Sequence, residues 1–439
     1  MARAQALLAV RDLRRLPDRL GAPRGADAAR LTAWVHGTLR HRRTLHVLLG
    51  AVARRAFKGC PPPLVAGLEL GGLRVAWGGE PAALVADEIG PLHGRKGREH
   101  LTRVLVALEA AIEARQGPAE GDDRTLPLDR TRSLLLRRPL LEVSIRRAAA
   151  RLGILHSLPD PLVEAWIARH GEAVAAELCR AANDPPPLFA RTNPLRTTPE
   201  QLLAALAEEG VLARALPEPP GALRLEGGRG RFRRTRPWRE GWLTIQDLTA
   251  QAAARALAPA AGERVLDLCA APGTKTTALA EQGQDRLELL ACDRSPRRLR
   301  RVEENARRLQ LGCIRTRALD ARRPDALADE GQFAAILVDA PCSNTGVLRR
   351  RPEARWRYDP AAQRKLARDQ ARILRTAVSA LAPGGRLVWS VCALEPEEGE
   401  GQVRALLAEA PDLRLVEERL TLPTPEGGDG GYHALLRRA

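Results

Sequence analysis

The chain has 439 residues, 44% of them hydrophobic, and a formal net charge of +17. This length and composition allow two or three folded domains and argue against a largely disordered chain. The excess of positive charge predicts a polyanionic partner, with nucleic acid as the first candidate, because phosphates neutralised along one surface release their counterions. A basic surface that serves solubility alone is the alternative.

The seven cysteines are scattered and include no C-x-x-C pair, which predicts neither a disulfide framework nor a metal site. The N-terminal residues 1–15 contain an apolar run too short for a signal peptide and predict an amphipathic helix. No apolar run approaches the length that a membrane span requires. We therefore expect a soluble, cytoplasmic and monomeric protein without a bound metal.

Residues 4–116 place apolar side chains at helix-face spacings, for example Leu31, Val35 and Leu39, and predict an all-helical domain over residues 1–135. The segment RLTAWVHGTLRHRRTLHVLL at 30–49 mixes basic and apolar residues, and here the sequence resembles the NusB-like helical bundle, an RNA-binding module. A polar, proline-bearing stretch at about 118–138 indicates a domain boundary. We assign residues 136–155 to the linker.

Residues 156–240 predict a small α+β module with helices, a strand at LFARTN, a capped helix beginning at Thr198-Pro199-Glu200 and two further strand-like pieces. The tract GGRGRFRRTRPWREGW at 227–242 surrounds Phe232 with arginines. Such a tract can bind phosphates and stack on bases, and a solvated loop has the same composition, so both interpretations stay open.

After Trp242, strands and helices alternate strictly, and two more strands follow at the C-terminus. This alternation predicts an α/β domain over residues 241–439, with a mostly parallel sheet covered on both faces. Its first unit is GERVLDLCAAPGTKTTALAEQ at 262–282, a buried strand, a tight turn at Pro272-Gly273 and a helix. The turn presents backbone N–H groups near a helix N-terminus, and Asp267 in the strand supplies the opposite polarity.

Acidic residues recur at the carboxyl ends of the predicted strands, where open parallel sheets bind their ligands. Asp293 ends the second strand and is placed to accept hydrogen bonds from ribose hydroxyls, Asp320 follows the third strand and Asp339 closes the fourth. A nicotinamide dinucleotide would require G-x-G-x-x-G and a P-loop would require G-x-x-x-x-G-K-[ST], and the turn matches neither spacing. S-adenosylmethionine fits better, because it has an amino-acid head, a ribose and an adenine but no phosphates.

Cys342 in DAPCS and Cys392 in WSVCA each follow a predicted strand, at the ligand end of the sheet. A thiolate that adds to C6 of a pyrimidine makes C5 nucleophilic enough to attack a sulfonium methyl group. Asp339 is placed to hold N3 or the exocyclic amine of cytosine. For either cysteine alone, a small buried side chain without catalytic function is the competing interpretation.

The segments DLCAAPGTKTT, LVDAPCSNTGVLRRRPEARW and WSVCALEPEE resemble the signature motifs of the Sun/Fmu-type RNA cytosine-5 methyltransferases. With the NusB-like N-terminal region, the chain looks most similar to the branch of 16S ribosomal RNA methyltransferases B. The resemblance implies a Rossmann-like class I methyltransferase domain with a seven-stranded sheet. It also implies S-adenosylmethionine as cofactor, ribosomal RNA as partner, and transfer of a methyl group to C5 of a cytosine through a covalent adduct with cysteine.

The resemblance also implies a role for each site residue. Asp293 would hold the ribose, Asp320 the adenine side, and Asp339 would face the cofactor and the target base. Cys392 would be the nucleophile and Cys342 would assist release of the product. The methionine part of the cofactor would be held by the loop residues Cys269, Ala270, Ala271, Pro272, Gly273, Thr274 and Lys275.

The sequence departs from the family pattern at several positions. The family's T-C-S is Val391-Cys392-Ala393, its P-E-E-N ends in Gly399, and its second loop glycine is Thr274. These changes leave three classes of function open: an RNA methyltransferase, a methyltransferase of small molecules or proteins, and a non-catalytic RNA-binding or assembly factor. In the first class, residues 349–351, three consecutive arginines, would contact phosphates near the target base.

Overall fold

The computed structural model describes residues 26–53, 55–118, 124–137, 139, 147–228 and 230–439. The helix predicted within residues 1–15 and much of the predicted linker lie outside these ranges. The chain divides into two compact units. The first comprises the residues up to Pro185 together with the segment Leu348–Tyr358, and the second comprises Pro186–Val347 with Asp359–Ala439.

Over the described residues from 26 to 111 the first unit is helical, as predicted, and over residues 112–136 it differs from the prediction. There the chain forms a three-stranded antiparallel sheet of order β1-β3-β2 in place of a helix end and a linker. The side chains of Leu126, Leu134 and Leu136 are buried in the same core as those of the helices, which gives these short strands an apolar face. The elements are α1 (Ala26–Val52), α2 (Pro62–Ala76), α3 (Ala82–Ile89), α4 (Gly94–Ala111), β1 (Ile112–Gln116), β2 (Thr125–Pro127) and β3 (Arg132–Leu136).

The predicted α+β module at 156–240 is divided between the units. Its first two helices pack in the first unit, and its strands lie in the second. The three helices that complete the first unit are α5 (Ala148–His156), α6 (Asp160–His170) and α7 (Glu172–Ala181). Among the described residues, no helix combines the length and the apolar character that a membrane crossing requires.

A fully buried arginine, Arg355, anchors the segment Leu348–Tyr358 in the first unit. The guanidinium of Arg355 donates to the carbonyls of Arg40 (2.8 Å), Ser157 (3.1 Å) and Ala182 (2.9 Å), and to Oδ1 of Asn183 (3.0 Å). Burial lowers the pKa of Arg355 to about 9. Four acceptors from three separate parts of the chain thus share one donor group.

The expectation that residues 349–351 all contact RNA phosphates is wrong for Arg349. Its side chain is 1% exposed, and its carbonyl accepts a hydrogen bond from Nη2 of Arg40 at 2.8 Å. The sequence shows three equivalent arginines, but the packing of this segment in the first unit directs Arg349 inward.

The second unit begins with a small antiparallel sheet of order β5-β6-β4-β7. The predicted strands and helix are present, and the helix has the predicted capping chemistry, with the side chains of Thr198 and Gln201 each bonded to the other's backbone N–H. The fourth strand, at 243–245, was not predicted as part of this module. The elements are β4 (Leu188–Thr192), α8 (Pro199–Glu208), β5 (Ala213–Ala215), β6 (Ala222–Leu225), the short helix α9 (Arg236–Arg239) and β7 (Leu243–Ile245).

The rest of the second unit is the predicted α/β domain. Its seven-stranded sheet has the order β10-β9-β8-β11-β12-β14-β13, with the first five strands parallel and the last two antiparallel. The elements are α10 (Leu248–Leu257), β8 (Arg264–Asp267), α11 (Thr274–Gln282), β9 (Glu288–Asp293), α12 (Pro296–Leu309), β10 (Ile314–Ala318), β11 (Phe333–Asp339), α13 (Pro360–Ser379), β12 (Leu381–Val391), α14 (Glu400–Glu409), β13 (Leu413–Thr421) and β14 (Gly431–Arg438).

Apolar cores lie on both faces of this sheet, as the strand–helix alternation predicts. One core joins the sheet to α13 and α14, and the other joins it to α10 and α11. Since side chains alternate along a strand, neighbouring positions at the carboxyl end of each strand serve opposite faces. Asp267, Asp339 and Ser390 share the α10/α11 face, which the register of β8, β11 and β12 brings together.

We expect Arg355→Met to lower the free energy of unfolding by about 3 kcal/mol, because buried carbonyls and an amide lose their donor. Urea unfolding of the full chain measures the effect. Arg357→Met is the matched control in the same segment, since Arg357 is exposed and lies 3.7 Å from Glu353. Equal effects of the two substitutions would show that the buried contacts of Arg355 contribute nothing specific.

Candidate functional site

The loop between β8 and α11 has the geometry of a ligand cradle. Gly273 has φ 98°, and a Cβ there would lie 2.9 Å from Cα of Val302, so the close approach of the two backbones requires glycine. At the end of β8, Asp267 is fully buried and its Oδ2 accepts a hydrogen bond from Oγ1 of Thr276 at 2.6 Å. Its Oδ1 has no partner among the described residues.

Asp267 is therefore prepared to receive a cationic or hydrogen-bond-donating group. Burial raises its pKa to about 7, against the opposing effect of the hydrogen bond from Thr276. A bound ammonium would satisfy Oδ1 and favour the charged carboxylate. The amino-acid head of S-adenosylmethionine carries such an ammonium, and its carboxylate suits the N–H groups at the start of α11, so the residues fit this cofactor.

Asp293 and Asp320, two of the acidic residues assigned to the cofactor, each pair with an arginine. Asp293 is buried, accepts a hydrogen bond from the backbone N–H of Ser295 at 2.9 Å, and lies 3.1 Å from Nη1 of Arg298. Both oxygens of Asp320 accept from Arg322, at 2.9 and 2.5 Å, which lowers the pKa of Asp320 to about 2. Both carboxylates are hydrogen-bond acceptors at the carboxyl ends of β9 and β10, where a ribose and a base would lie.

The structure brings the two predicted cysteines together. Sγ of Cys342 lies 3.0 Å from Sγ of Cys392, although 50 residues separate them. Asn344, in the left-handed region with φ 65°, joins the two loops: its Nδ2 donates to the carbonyl of Cys342 at 2.7 Å, and its Oδ1 lies 3.4 Å from Sγ of Cys392. The pair is therefore one site with two sulfur atoms.

Lys275 connects the two halves of the site. The cofactor half consists of the loop at 269–275 with Asp293 and Asp320, and the acceptor half consists of Asp339, Cys342 and Cys392. Nζ of Lys275 lies 2.7 Å from Oδ2 of Asp339, and its side chain is only 12% exposed. Burial alone would lower the pKa of Lys275, but the charge of Asp339 outweighs it and raises the pKa, with a further contribution from Cys392. The sequence assigned Lys275 only to the loop predicted to hold the methionine part of the cofactor. In the structure its ammonium lies beside Asp339, in the acceptor half.

Two buried glutamates that sequence reasoning did not single out support the cysteine loops. Oε2 of Glu398 accepts from the backbone N–H of Ser343 at 2.9 Å and from Nε2 of Gln370 at 2.8 Å. Glu395 accepts a hydrogen bond from Oγ1 of Thr345, and burial raises its pKa to about 7. Their signal in the sequence is the acidic segment LEPEE at 394–398, which begins two residues after Cys392.

Gly346 ties three loops together beside Cys392. Its N–H donates to the carbonyl of Cys392 at 3.1 Å, and its carbonyl accepts from the N–H of Gly430 at 2.8 Å. A Cβ on Gly346 would lie 2.3 Å from the carbonyl oxygen of Gly430. The backbone that carries Cys392 is thus held by a contact that only glycine permits.

The departures from the family pattern beside Cys392 do not reach its sulfur. Val391 and Ala393 are 2% and 1% exposed and belong to the apolar core under the sheet, with Trp389 and Tyr432. The hydroxyl groups that these positions lack would therefore lie in that core. Gly399 packs against the ring of Tyr432, where a Cβ would meet the ring at 3.1 Å.

Two family models match the chain. The model described as 16S rRNA methyltransferase RsmB/F matches residues 254–433, and that of the ferredoxin-like domain of RsmF/B-like methyltransferases matches residues 158–230. Residues 254–433 thus resemble the RsmB/F family. The first match contains both cysteines and the cofactor loop, so the resemblance seen in the sequence motifs is confirmed.

Curated relatives include ribosomal RNA small subunit methyltransferase B of Salmonella arizonae, which is 39% identical over 266 residues, and that of Proteus mirabilis, 40% identical over 258 residues. The alignments cover 59% and 58% of this chain, and 61% and 60% of the relatives. The chain thus spans about three fifths of the length of the curated relatives that it matches.

Solved structures confirm the fold. The crystal structure of PH0851 covers all of this chain and 98% of its own, with a TM-score of 0.76 and 20% identity. A methyltransferase homologue from Pyrococcus horikoshii is 25% identical, with a TM-score of 0.58, and the match covers 68% of this chain and 100% of the homologue. NSun6 from the same organism, solved with SFG, has a TM-score of 0.59 at 22% identity and covers 64% of this chain and 98% of its own.

The ferredoxin-like match contains Arg191, a buried residue that sequence reasoning also missed. Nε and Nη2 of Arg191 lie 2.8 and 2.9 Å from the two carboxylate oxygens of Glu281, and Nη1 donates to the carbonyl of Thr274 at 3.1 Å. It also contacts Gln246 and Thr277. Arg191 on β4 therefore holds the first turn of α11, which follows the cofactor loop directly. The segment LFARTN gave no signal beyond its strand pattern.

We expect Arg191→Met to weaken binding of S-adenosylhomocysteine about tenfold or more, measured by calorimetry, because the first turn of α11 loses one of its supports. The unpaired Glu281 would also cost about 3–5 kcal/mol of stability. The double variant Arg191→Met/Glu281→Met removes that buried charge, so it should recover stability while its affinity stays low. Arg214→Met, which alters an exposed ion pair of the same small sheet, is the control. Normal affinity in the double variant would limit Arg191 to a structural role.

Proposed function

We propose that this chain transfers a methyl group from S-adenosylmethionine to C5 of a cytosine in RNA, with 16S ribosomal RNA as the substrate. The observation that carries the proposal is the pair of thiols, 3.0 Å apart, beside the ion pair of Lys275 and Asp339. A methyltransferase of small molecules or proteins would need neither this pair nor the net charge of +17. The family match and the two relatives named as small-subunit RNA methyltransferases support the RNA substrate.

We assign different roles to the two thiols. The hydrogen bond with Cys392, followed by burial, raises the pKa of Cys342 well above its ordinary value. Cys342 therefore favours its thiol form, from which it can donate a hydrogen bond to Sγ of Cys392. A thiolate at Cys392, with the ammonium of Lys275 nearby, is the nucleophile that addition to C6 requires.

The reaction follows from these positions. The thiolate of Cys392 forms a bond to C6, the C5–C6 double bond is broken, and the electron pair moves to C5. S-adenosylmethionine supplies an electrophilic methyl group, which C5 takes. Asp339 holds the exocyclic amine or N3 and thereby orients the ring.

Release of the product requires a base near C5. Once Cys392 is a neutral thioether, its contribution to the raised pKa of Cys342 is gone, and Cys342, after losing its own proton to solvent, acts as the base that accepts the proton from C5. The electrons of the C5–H bond restore the C5–C6 double bond, and the C6–S bond breaks. Cys392 leaves as a thiolate, and 5-methylcytosine is released.

We expect Cys392→Ala to abolish methyl transfer and Cys342→Ala to accumulate a covalent protein–RNA adduct. Tritium transfer from labelled S-adenosylmethionine measures the first effect, with unmethylated small-subunit ribosomal RNA compared against transfer RNA and protein. A denaturing gel detects the adduct. Cys313→Ala, in the same sheet but outside the site, is the control. An adduct with Cys392→Ala instead would reverse the roles, and RNA binding without transfer by the unaltered chain would favour a non-catalytic binding factor.

We expect Gly346→Ala to lower the rate of methyl transfer about 100-fold, because the added Cβ displaces the loop that fixes the backbone of Cys392 and small displacements of a nucleophile are costly. Affinity for S-adenosylhomocysteine, measured by calorimetry, should not change. Gly312→Ala is the matched control, since its Cβ would have 3.7 Å to its nearest neighbour, Oδ2 of Asp285. An unaltered rate would mean that the loop tolerates the displacement.

A further inference from the structure

Two segments of the second unit hold a large share of the positive charge. The basic tract, residues 231–239, and helix α12 together contain eleven arginines and two glutamates, a net charge of +9 within the chain's +17. The tract comprises a 3₁₀ turn at Phe232–Arg234 and the short helix α9. More than half of the excess charge thus belongs to 23 residues.

The basic tract and α12 pack directly against each other. The guanidinium of Arg308, in the last turn of α12, lies 3.8 Å from the ring centroid of Trp238, and its Nη1 donates to the carbonyls of Trp238 and Leu243 at 3.1 and 3.0 Å. A Cβ on Gly241 would lie 2.5 Å from the carbonyl oxygen of Arg308. Both segments therefore contribute to one continuous surface of the second unit.

Eight of the eleven arginines fall into two groups. Arg308 and Arg298 are engaged within the protein, the first on Trp238 and the second with Asp293 and with the carbonyl of Ala271 at 2.7 Å. The second group is exposed and has no short-range acidic partner among the contacts described: Arg231, Arg234, Arg239, Arg297, Arg300 and Arg307. These exposed guanidinium groups define what we call the arginine surface.

The aromatic rings of the tract are occupied within the protein. Phe232 is buried and makes an edge contact with Trp238, their ring centroids 5.2 Å apart, and Arg233 lies over both rings. Stacking of bases on these rings, one of the alternatives left open by the sequence, therefore does not suit the structure. What remains available to a partner is charge.

The position of α12 relates the arginine surface to the candidate site. The helix begins at Pro296, three residues after Asp293, and its Ser295 cap adjoins the cofactor half. Its 14 residues extend for about 21 Å. The apolar face of α12, which consists of Leu299, Val302, Ala306 and Leu309, is buried and leaves no apolar face for insertion into a membrane.

We propose that the arginine surface binds the phosphodiester backbone of the RNA that flanks the target cytosine, without reading its sequence. The inference rests on the proposed function for the identity of the RNA. Guanidinium groups pair well with phosphates, and such contacts orient a nucleic acid while they carry no base specificity. The surface begins at the cofactor half and continues along α12 to the basic tract, so bound RNA would be held beside the site.

The test is the salt dependence of RNA binding by the full chain with Arg234→Gln, Arg239→Gln and Arg307→Gln combined. Fluorescence anisotropy with a labelled single-stranded oligonucleotide of unmethylated small-subunit RNA gives the dissociation constant at several salt concentrations. We expect binding at low salt to weaken about tenfold or more. We also expect the slope of the logarithm of the binding constant against the logarithm of the salt concentration to become shallower by about 2, because each lost phosphate contact reduces that slope by about 0.7.

A matched control removes the same charge from the other face of the sheet. Arg364, Lys365 and Arg368 are exposed on α13, and their combined substitution by Gln should leave the slope nearly unchanged. Equal loss of affinity in the two triple variants would overturn the proposal, because net charge alone would then explain binding. Equal binding of anionic lipid vesicles and RNA by the unaltered chain would overturn it as well.

Binding and transfer separate this inference from the proposed function. Both triple variants should bind S-adenosylhomocysteine normally, since neither changes a residue of the candidate site. If the unaltered chain binds RNA with a steep salt slope but transfers no methyl group, the proposed function fails and the arginine surface stands. If it methylates RNA and the Arg234/Arg239/Arg307 variant keeps the full slope, the arginine surface fails and the function stands.

Discussion

The parallel pairing of β11 with β8 on one side and β12 on the other is the constraint on which the site depends. Parallel neighbours end at the same edge of a sheet, so three loops separated widely in sequence begin side by side. The register places Leu337 opposite Asp267 and Asp339 opposite Ser390. A slip of one residue in β12 would turn Ser390 into the opposite core and carry the loop of Cys392 with it.

Buried carboxylates give this edge its chemical character at a cost in stability. Asp267 and Glu395 each have one oxygen without a partner among the described residues, and burial raises the pKa of both to about 7. A sequence selected for stability alone would remove or pair such groups. In this fold one of them faces the cradle that suits the cofactor, and the other holds the loop of Cys342. The arrangement is consistent with a site that is completed by its ligands.

Arginine serves three different purposes in this protein, although the sequence presents every arginine alike. Arg355 and Arg191 are buried and hold backbone carbonyls and carboxylates that would otherwise lack donors. Arg308 lies over the ring of Trp238 and joins α12 to the basic tract. Others, such as Arg234, remain exposed. A net charge therefore indicates a polyanionic partner without locating it, because burial removes some of the charges from any contact with that partner.

The sequence by itself determined the α/β domain and the alternation of its strands and helices along the chain. It also determined the position of the loop after β8 and of both cysteines. Alternating apolar runs and helix-face spacings reflect local burial, and motif residues at strand ends are local as well. It also indicated the capped helix at Thr198, since capping involves residues only three positions apart.

Only the tertiary structure decided the rest. The distance between Cys342 and Cys392, the support of α11 by Arg191 and the inward direction of Arg349 depend on contacts between residues far apart in the chain. The short strands at 112–136 were missed for the same reason, since pairing across a sheet and burial against distant helices stabilise them more than their own propensity does. Local pattern fixes which elements form, and packing fixes which side chains meet.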